Sequence, residues 1–216
     1  MSEDVKRRRY RSRRRAEQAE QTHERVLAAA SDLFVERGYD GASIAAIAER
    51  AGVSSETIYA RFSNKRSLLG QLVQNAVRGA DPRPVTEQDS ARALIAEPDQ
   101  RLQLRAFAED VTQRLERAAP LAAIVSSAAR AEPELAELRD AISTRRRENL
   151  GALISGVSAN GALRIPREAA LDTVWALTSP ELHQLMRVGR GWSPERYRDW
   201  LSDALVALLV LPEGHS

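Results

Sequence analysis

Ser43-Ile44-Ala45-Ala46-Ile47-Ala48-Glu49-Arg50-Ala51-Gly52-Val53-Ser54-Ser55-Glu56-Thr57-Ile58-Tyr59-Ala60-Arg61-Phe62 reads as two short helices joined by a tight turn. Ile44, Ile47 and Ala48 recur at i, i+3 and i+4, which places them on one helix face. Gly52 can take the positive φ that a residue with a Cβ resists. Val53 fills the angle between the two helices, and Ser54 is a good N-cap for the second. Ile58 and Phe62, four apart, face inward. Ser55, Glu56, Tyr59 and Arg61 are left outward, a hydroxyl, a carboxylate, a phenol and a guanidinium suited to base edges and phosphates. The pattern is a helix-turn-helix, and it points to DNA.

Working outward, Thr22 to Arg37 reads as a leading helix with Val26, Leu27, Ala30, Leu33 and Phe34 as its buried stripe. Gly38 ends it. Ser43 caps the second helix. Asn64 to Arg78 reads as a fourth helix with Leu68, Leu69, Leu72, Val73 and Ala76 inward, and it leads into the rest of the chain as a mechanical link. Ahead of all this stands Lys6-Arg7-Arg8-Arg9-Tyr10-Arg11-Ser12-Arg13-Arg14-Arg15, eight basic residues in ten. So much like charge predicts a disordered arm over 1–20. One reading has the arm, through residues such as Arg13 and Arg14, follow DNA phosphates or the minor groove; the other has it as a solubilising tail.

The segment from Thr22 to Leu69 resembles the DNA-binding domain of the TetR family of bacterial transcription regulators. The resemblance is carried by Val26, Ala29, Ala30, Leu33, Phe34, Glu36, Arg37, Gly38 and Tyr39. It continues through Ser43 to Tyr59 and closes on Phe62-Ser63-Asn64-Lys65-Arg66-Ser67-Leu68-Leu69. Two positions depart from the family pattern. Arg61 stands where His or Tyr is common, and Arg66 stands where an acid is common, which removes a capping box from Ser63. The resemblance implies base reading by Ser55, Glu56 and Tyr59; Arg61, a departure from the family, is a candidate for an added phosphate or guanine contact by its own chemistry. Ser43, Ser54, Tyr59 and Lys65 are implied phosphate contacts. Thr57 completes the set as half-buried support. Ser43 and Ser54 have a capping role that stands beside the phosphate one.

Length and composition set the bounds. A chain of 216 residues is long enough for one or two domains with real cores. It has no cysteine, which excludes disulfides, thiol chemistry and zinc fingers. No apolar run approaches the roughly 20 residues needed to span a bilayer. The N-terminus lacks a secretory apolar core, so the expectation is a cytoplasmic protein without membrane partners. Residues 1–80 carry 15 Lys/Arg against 10 Asp/Glu, and residues 81–216 carry 17 against 20. A basic front and a mildly acidic rear fit a DNA-binding domain over 21–68 joined to a different domain over 69–216.

That second domain reads as helical throughout, so the fold class is all-α. Gly79, Pro82, Pro84 and Pro98 mark residues 79–98 as a linker with one helical turn. Leu104, Phe107, Ala108, Val111 and Leu115 follow helical spacing. Pro120 is expected to break the chain and start a new helix. Pro133 starts a long helix through Ile154, with a turn over 156–161. Pro166 starts the next, Ser179-Pro180 kinks or restarts it, and Gly189 and Gly191 end it. Ser193-Pro194-Glu195 opens the last helix.

From Leu201 to Leu211 that last helix leaves little polar face, so it predicts cover on two sides, one of them a second copy of the chain. Leu201, Leu205, Leu208 and Trp175 are the expected dimer contacts, and the resemblance implies a four-helix bundle across a two-fold axis. Two recognition helices would then enter successive major grooves about 34–36 Å apart, so the expected partner is double-stranded DNA with a palindromic operator. The resemblance also implies a small-molecule effector whose binding shifts the dimer away from DNA, hence repression. Its candidate lining is Phe107, Val111, Ile124, Leu150, Trp175, Thr178 and His183, with ordinary core packing as the competing role. The alternative is a rear domain serving only dimerisation or protein docking. The three histidines, His23, His183 and His215, are scattered, and no phosphate-binding glycine loop is present. No catalytic residue, metal site or cofactor is expected.

Overall fold

The computed structural model describes residues 3–212, with side chains for Arg14 and residues 17–212; His215 lies outside the described residues. Ten α-helices make up the described chain: α1 Glu3–Gly41, α2 Ile44–Ala51, α3 Ser55–Phe62, α4 Lys65–Arg78, α5 Asp89–Ala96, α6 Gln100–Ala128, α7 Pro133–Ala159, α8 Arg167–Leu177, α9 Pro180–Gln184 and α10 Pro194–Leu209. A 3₁₀ turn at Val85–Glu87 and a π-helical turn at Leu185–Gly189 complete the order. The only extended pairing among the described residues is a single antiparallel bridge between Leu163 and Val210. The fold is all-α. The chain divides into two compact units, residues 1–72 and 73–216.

In the first unit α1, α2 and α3 surround Val26, Ala30, Leu33, Phe34, Ile47, Ile58, Phe62, Leu68 and Leu69, all buried. Gly38 leaves helical geometry at φ 70° and ψ −175°, which turns the chain after Arg37 as the sequence predicts. The N-terminal end differs from expectation. The segment read as a disordered arm continues α1 back to Glu3. Its residues are mostly good helix formers without Gly or Pro, and acidic residues at 3, 4, 17 and 20 flank the basic run.

The second unit is built on α6, which packs against α7, α9 and α10. Its core holds Leu104, Phe107, Leu150, Leu153, Ile154, Val174, Tyr197, Leu201, Leu205 and Leu209. Asp99 starts α6 by accepting from the backbone N–H groups of Arg101 and Leu102 at 2.7 and 3.1 Å. Pro120 does not break the chain; it lies inside α6. One missing N–H is tolerated because Ala118, Ala119, Leu121, Ala122 and Val125 are buried around it, and their packing offsets the loss. The segment after Gly79 is also more ordered than one helical turn, since α5 spans eight residues there.

Candidate nucleic-acid interface

Local chemistry fixes the two helices of the motif. Ser43 takes an extended conformation, and its Oγ accepts from the Ala46 N–H at 3.1 Å. Gly52 sits at φ 65° and ψ 42°, and its N–H donates to the carbonyls of Ala48 and Glu49, closing α2. Ser54 then repeats the cap, with its Oγ accepting from the Thr57 N–H at 3.3 Å and lying 3.1 Å from the Thr57 hydroxyl. Ile47, Ala48 and Ala51 of α2 and Ile58 and Phe62 of α3 are buried, so one face of each short helix is taken up by the core.

The opposite face of α3 is open. Tyr59 is 52 % exposed, and Glu56 and Arg61 are exposed with it. Ser55 and Thr57 are half-buried at the helix start. The backbone N–H of Glu56 and the Ser54 hydroxyl hold the Glu56 carboxyl below its usual range. Glu56 therefore completes the helix start as well as facing outward. Ser43 is exposed while capping: its Oγ accepts the cap bond, and its O–H is left to donate outward.

Three basic side chains make intramolecular contacts that sequence spacing does not reveal. Lys65 Nζ donates to the Tyr39 carbonyl at 2.8 Å and stands 3.9 Å above the Tyr39 ring. Its first task is thus to close the corner after α1. Arg61 donates to the Ala19 carbonyl at 2.8 Å. Arg50 pairs with Glu36 through two bonds of 2.8 and 3.0 Å. Arg14 is exposed, and the side chain of Arg13 lies outside the described residues. The start of α4 also differs from expectation. A reciprocal cap exists, one position later than Ser63: Asn64 Oδ1 accepts from the Ser67 N–H at 2.8 Å, and Ser67 Oγ accepts from the Asn64 N–H at 3.3 Å.

In the second unit the seven predicted effector-lining residues stand in different surroundings. Phe107 and Leu150 belong to the packed core, with Val111 and Trp175 against it, and Ile124 lies toward the far end of α6. Trp175 lines an open groove with Ser143, Thr144, Arg147, Asp172 and Ala176. Thr178 and His183 are buried at 1 and 3 % exposure in a polar cluster. There His183 Nε2 meets Glu116 Oε1 at 2.8 Å, Arg187 pairs with the same carboxylate at 2.6 and 3.0 Å, and Tyr197 Oη donates to the Leu177 carbonyl at 3.0 Å. Arg146 donates to Thr178 Oγ1 at 3.1 Å and to the Trp175 carbonyl. Burial pulls the Arg146 guanidinium down to about 10. It also lowers His183 against the pull of Glu116. His183 Nδ1 is buried with no hydrogen-bond partner among the described residues. The roles of Glu116, Arg146, Arg187 and Tyr197 are not legible in the sequence, because their partners lie up to 71 positions away.

The predicted dimer contacts differ in exposure. Leu201 and Leu205 are fully buried within one chain, so they offer no surface to a second copy. Leu208, three residues past Leu205 and near the C-terminal end of α10, remains 44 % exposed. Trp175 is half-buried. No group of acidic and histidine residues among the described ones could hold a metal ion, and no described helix is long and apolar enough to cross a membrane.

Residues 26–72 match the model for bacterial regulatory proteins of the tetR family. Over 75 residues the chain is 41 % identical to the HTH-type transcriptional activator FasR of Mycolicibacterium smegmatis, covering 33 % of this chain and 34 % of FasR. It is 45 % identical over 58 residues to the HTH-type transcriptional regulator YdeS of Bacillus subtilis, covering 27 and 29 %. The match thus spans about a third of each relative's length. Likeness of fold extends further. FadR from Bacillus subtilis, solved with stearoyl-CoA, superimposes with a TM-score of 0.67 over 86 % of this chain and 98 % of FadR, at 17 % identity. The TetR family regulator PfmR from Thermus thermophilus gives 0.62 over 85 and 97 %, at 22 % identity.

Proposed function

We propose, from the match of residues 26–72 to the model for bacterial regulatory proteins of the tetR family, that the chain is a dimeric, sequence-specific DNA-binding repressor released from its operator by a small molecule. The observation that carries the DNA-binding part is α3. It is an eight-residue helix, capped at Ser54, anchored by Ile58 and Phe62, and open along Glu56, Tyr59 and Arg61. Such a helix is rigid enough to enter a major groove and polar enough to read it. Two copies related by a two-fold axis would read a palindrome. The surface left for pairing on the second unit includes Leu208 of α10 and Leu185 and Val188 of the π-helical turn, 44, 58 and 76 % exposed.

Support for ligand response comes from the polar cluster of the second unit. Among the described residues no carboxylate is bonded to the partly buried Arg146 guanidinium, and His183 Nδ1 has no partner. Both are open capacity for a polar group. The packing of Phe107 and Leu150 into the core favours a second reading, in which this unit serves only dimerisation or protein docking. A thermal-shift screen of small carboxylates and acyl compounds separates the two: stabilisers that also weaken DNA binding support release by a ligand, and their absence across the screen supports the second reading.

The DNA-binding part is tested by titrating duplexes recovered from a random pool with wild-type chain, Ser55→Ala and Tyr59→Ala. Affinity for the recovered duplex is expected to fall about tenfold or more, as for the loss of a base contact, with melting temperature unchanged. Equal affinity for all three chains would remove α3 as the reader.

A further inference from the structure

Ala19 and His23 stand one turn apart on one face of α1. Consecutive residues at the end of α3 engage both. Phe62 stacks on the His23 imidazole, with ring centroids 5.1 Å apart and planes within 10°. Arg61 Nη2 donates to the Ala19 carbonyl at 2.8 Å, across 42 positions of sequence. A carbonyl has two lone pairs, so Ala19 accepts this bond without giving up its place in the helix ladder. Phe62 is buried at 6 % exposure, which fixes the last turn of α3 and hence the direction from which Arg61 reaches.

The basic stretch Lys6–Arg15 belongs to the same helix and ends one turn before Ala19. Eight like charges in ten positions oppose a fixed helical path. A charged segment held in place before DNA arrives loses less ordering entropy on binding than a free one.

We propose that Arg61 is a positioning residue: by holding the Ala19 carbonyl it fixes the basic extension of α1 to the recognition helix, so that residues 6–15 meet phosphates of the duplex that α3 reads. This rests on the DNA-binding reading above, and it replaces a direct base or phosphate contact as the role of Arg61.

Four full-length chains test it by fluorescence anisotropy on one selected duplex at several salt concentrations. They are wild type, Arg61→Ala, a neutralised chain carrying Arg11→Gln, Arg13→Gln, Arg14→Gln and Arg15→Gln, and the combination. Gln keeps good helix propensity, so the neutralised chain retains the helix. The proposal expects Arg61→Ala to cost about tenfold in the wild-type background and under about twofold in the neutralised one. It also expects the slope of log affinity against log salt to fall by about 2 or more, against about 0.9 for the loss of a single phosphate contact. Arg61→Lys, which still carries a donor, recovers most of the affinity. Equal losses in both backgrounds would show that Arg61 touches DNA itself and overturn the proposal. No loss in either background would overturn it too. A wild-type chain that binds no duplex overturns the DNA-binding reading, and the proposal with it, before any variant is compared.

Discussion

Gly52 and Ser54 set the angle between α2 and α3 from two different physical constraints. Gly52 occupies the left-handed region at φ 65°, and a Cβ there would come no closer than 3.8 Å to Arg25, so Gly52→Ala meets no steric clash but carries the backbone penalty of a Cβ. The expected loss is about 1 kcal/mol, read from urea denaturation. Ser54→Ala removes the acceptor for the Thr57 N–H, and about 1 kcal/mol is expected from that lost cap as well. In the second unit, Glu116 and His183 make stability depend on pH. The Arg187 guanidinium holds the Glu116 carboxyl below 4.5, so its contribution is present above that pH and is lost on acidification. Burial holds His183 below 6.5, so the unfolded chain takes up a proton there that the folded chain refuses. Both effects have the same sign. Urea midpoints should fall as pH drops through 6.5 and again below 4.5, and His183→Gln should flatten the upper step. A midpoint that rises between about pH 7 and 5 would contradict the assignment.

At the scale of elements, much of the helix plan is legible from caps and punctuation. Ser43, Ser54, Ser179 and Ser193 each cap the helix that the sequence places after them, because a cap is a local bond within three residues. Gly38 and Gly52 turn the chain for an equally local reason. Pro120 reads as a breaker in the sequence because the packing that tolerates it comes from the tertiary fold. The start of α1 reads as disordered because its charge density argues one way while its helix propensity argues the other. The open face of α3 is legible, but the internal partners of Lys65 and Arg61 are not, since no periodicity encodes a bond across 26 or 42 positions.

The same distance problem hides the end of α4. Its last carbonyls are held by three side chains: Arg117 Nε at 3.0 Å from Ala76, Arg114 Nη1 at 2.7 Å from Val77 and Gln88 Nε2 at 3.1 Å from Arg78. Gln88 is 3 % exposed and also accepts from Arg114 at 2.9 Å. Gln88→Ala strands these groups in a buried site, and a loss of about 1–3 kcal/mol is expected from chemical denaturation.

For the whole molecule, folding and the proposed assembly are tested on a single helix. Leu205 is fully buried within the chain and Leu208 is 44 % exposed. Leu205→Ala should cost about 2–5 kcal/mol in stability, as core truncations do. Leu208→Arg should leave the fold of one chain close to wild type and shift sedimentation toward the monomer. If Leu208→Arg leaves the sedimentation pattern unchanged, pairing does not use this face of α10. Assembly and DNA reading meet in one measurement: selection of bound sequences from a random duplex pool by the full-length chain at moderate salt. The expected product is a palindrome whose half-site centres lie about one helical turn, 34–36 Å, or a multiple of it apart. Recovery of no sequence preference, with binding that vanishes as salt rises, would contradict a dimeric reader and leave only the charge of the α1 extension holding DNA.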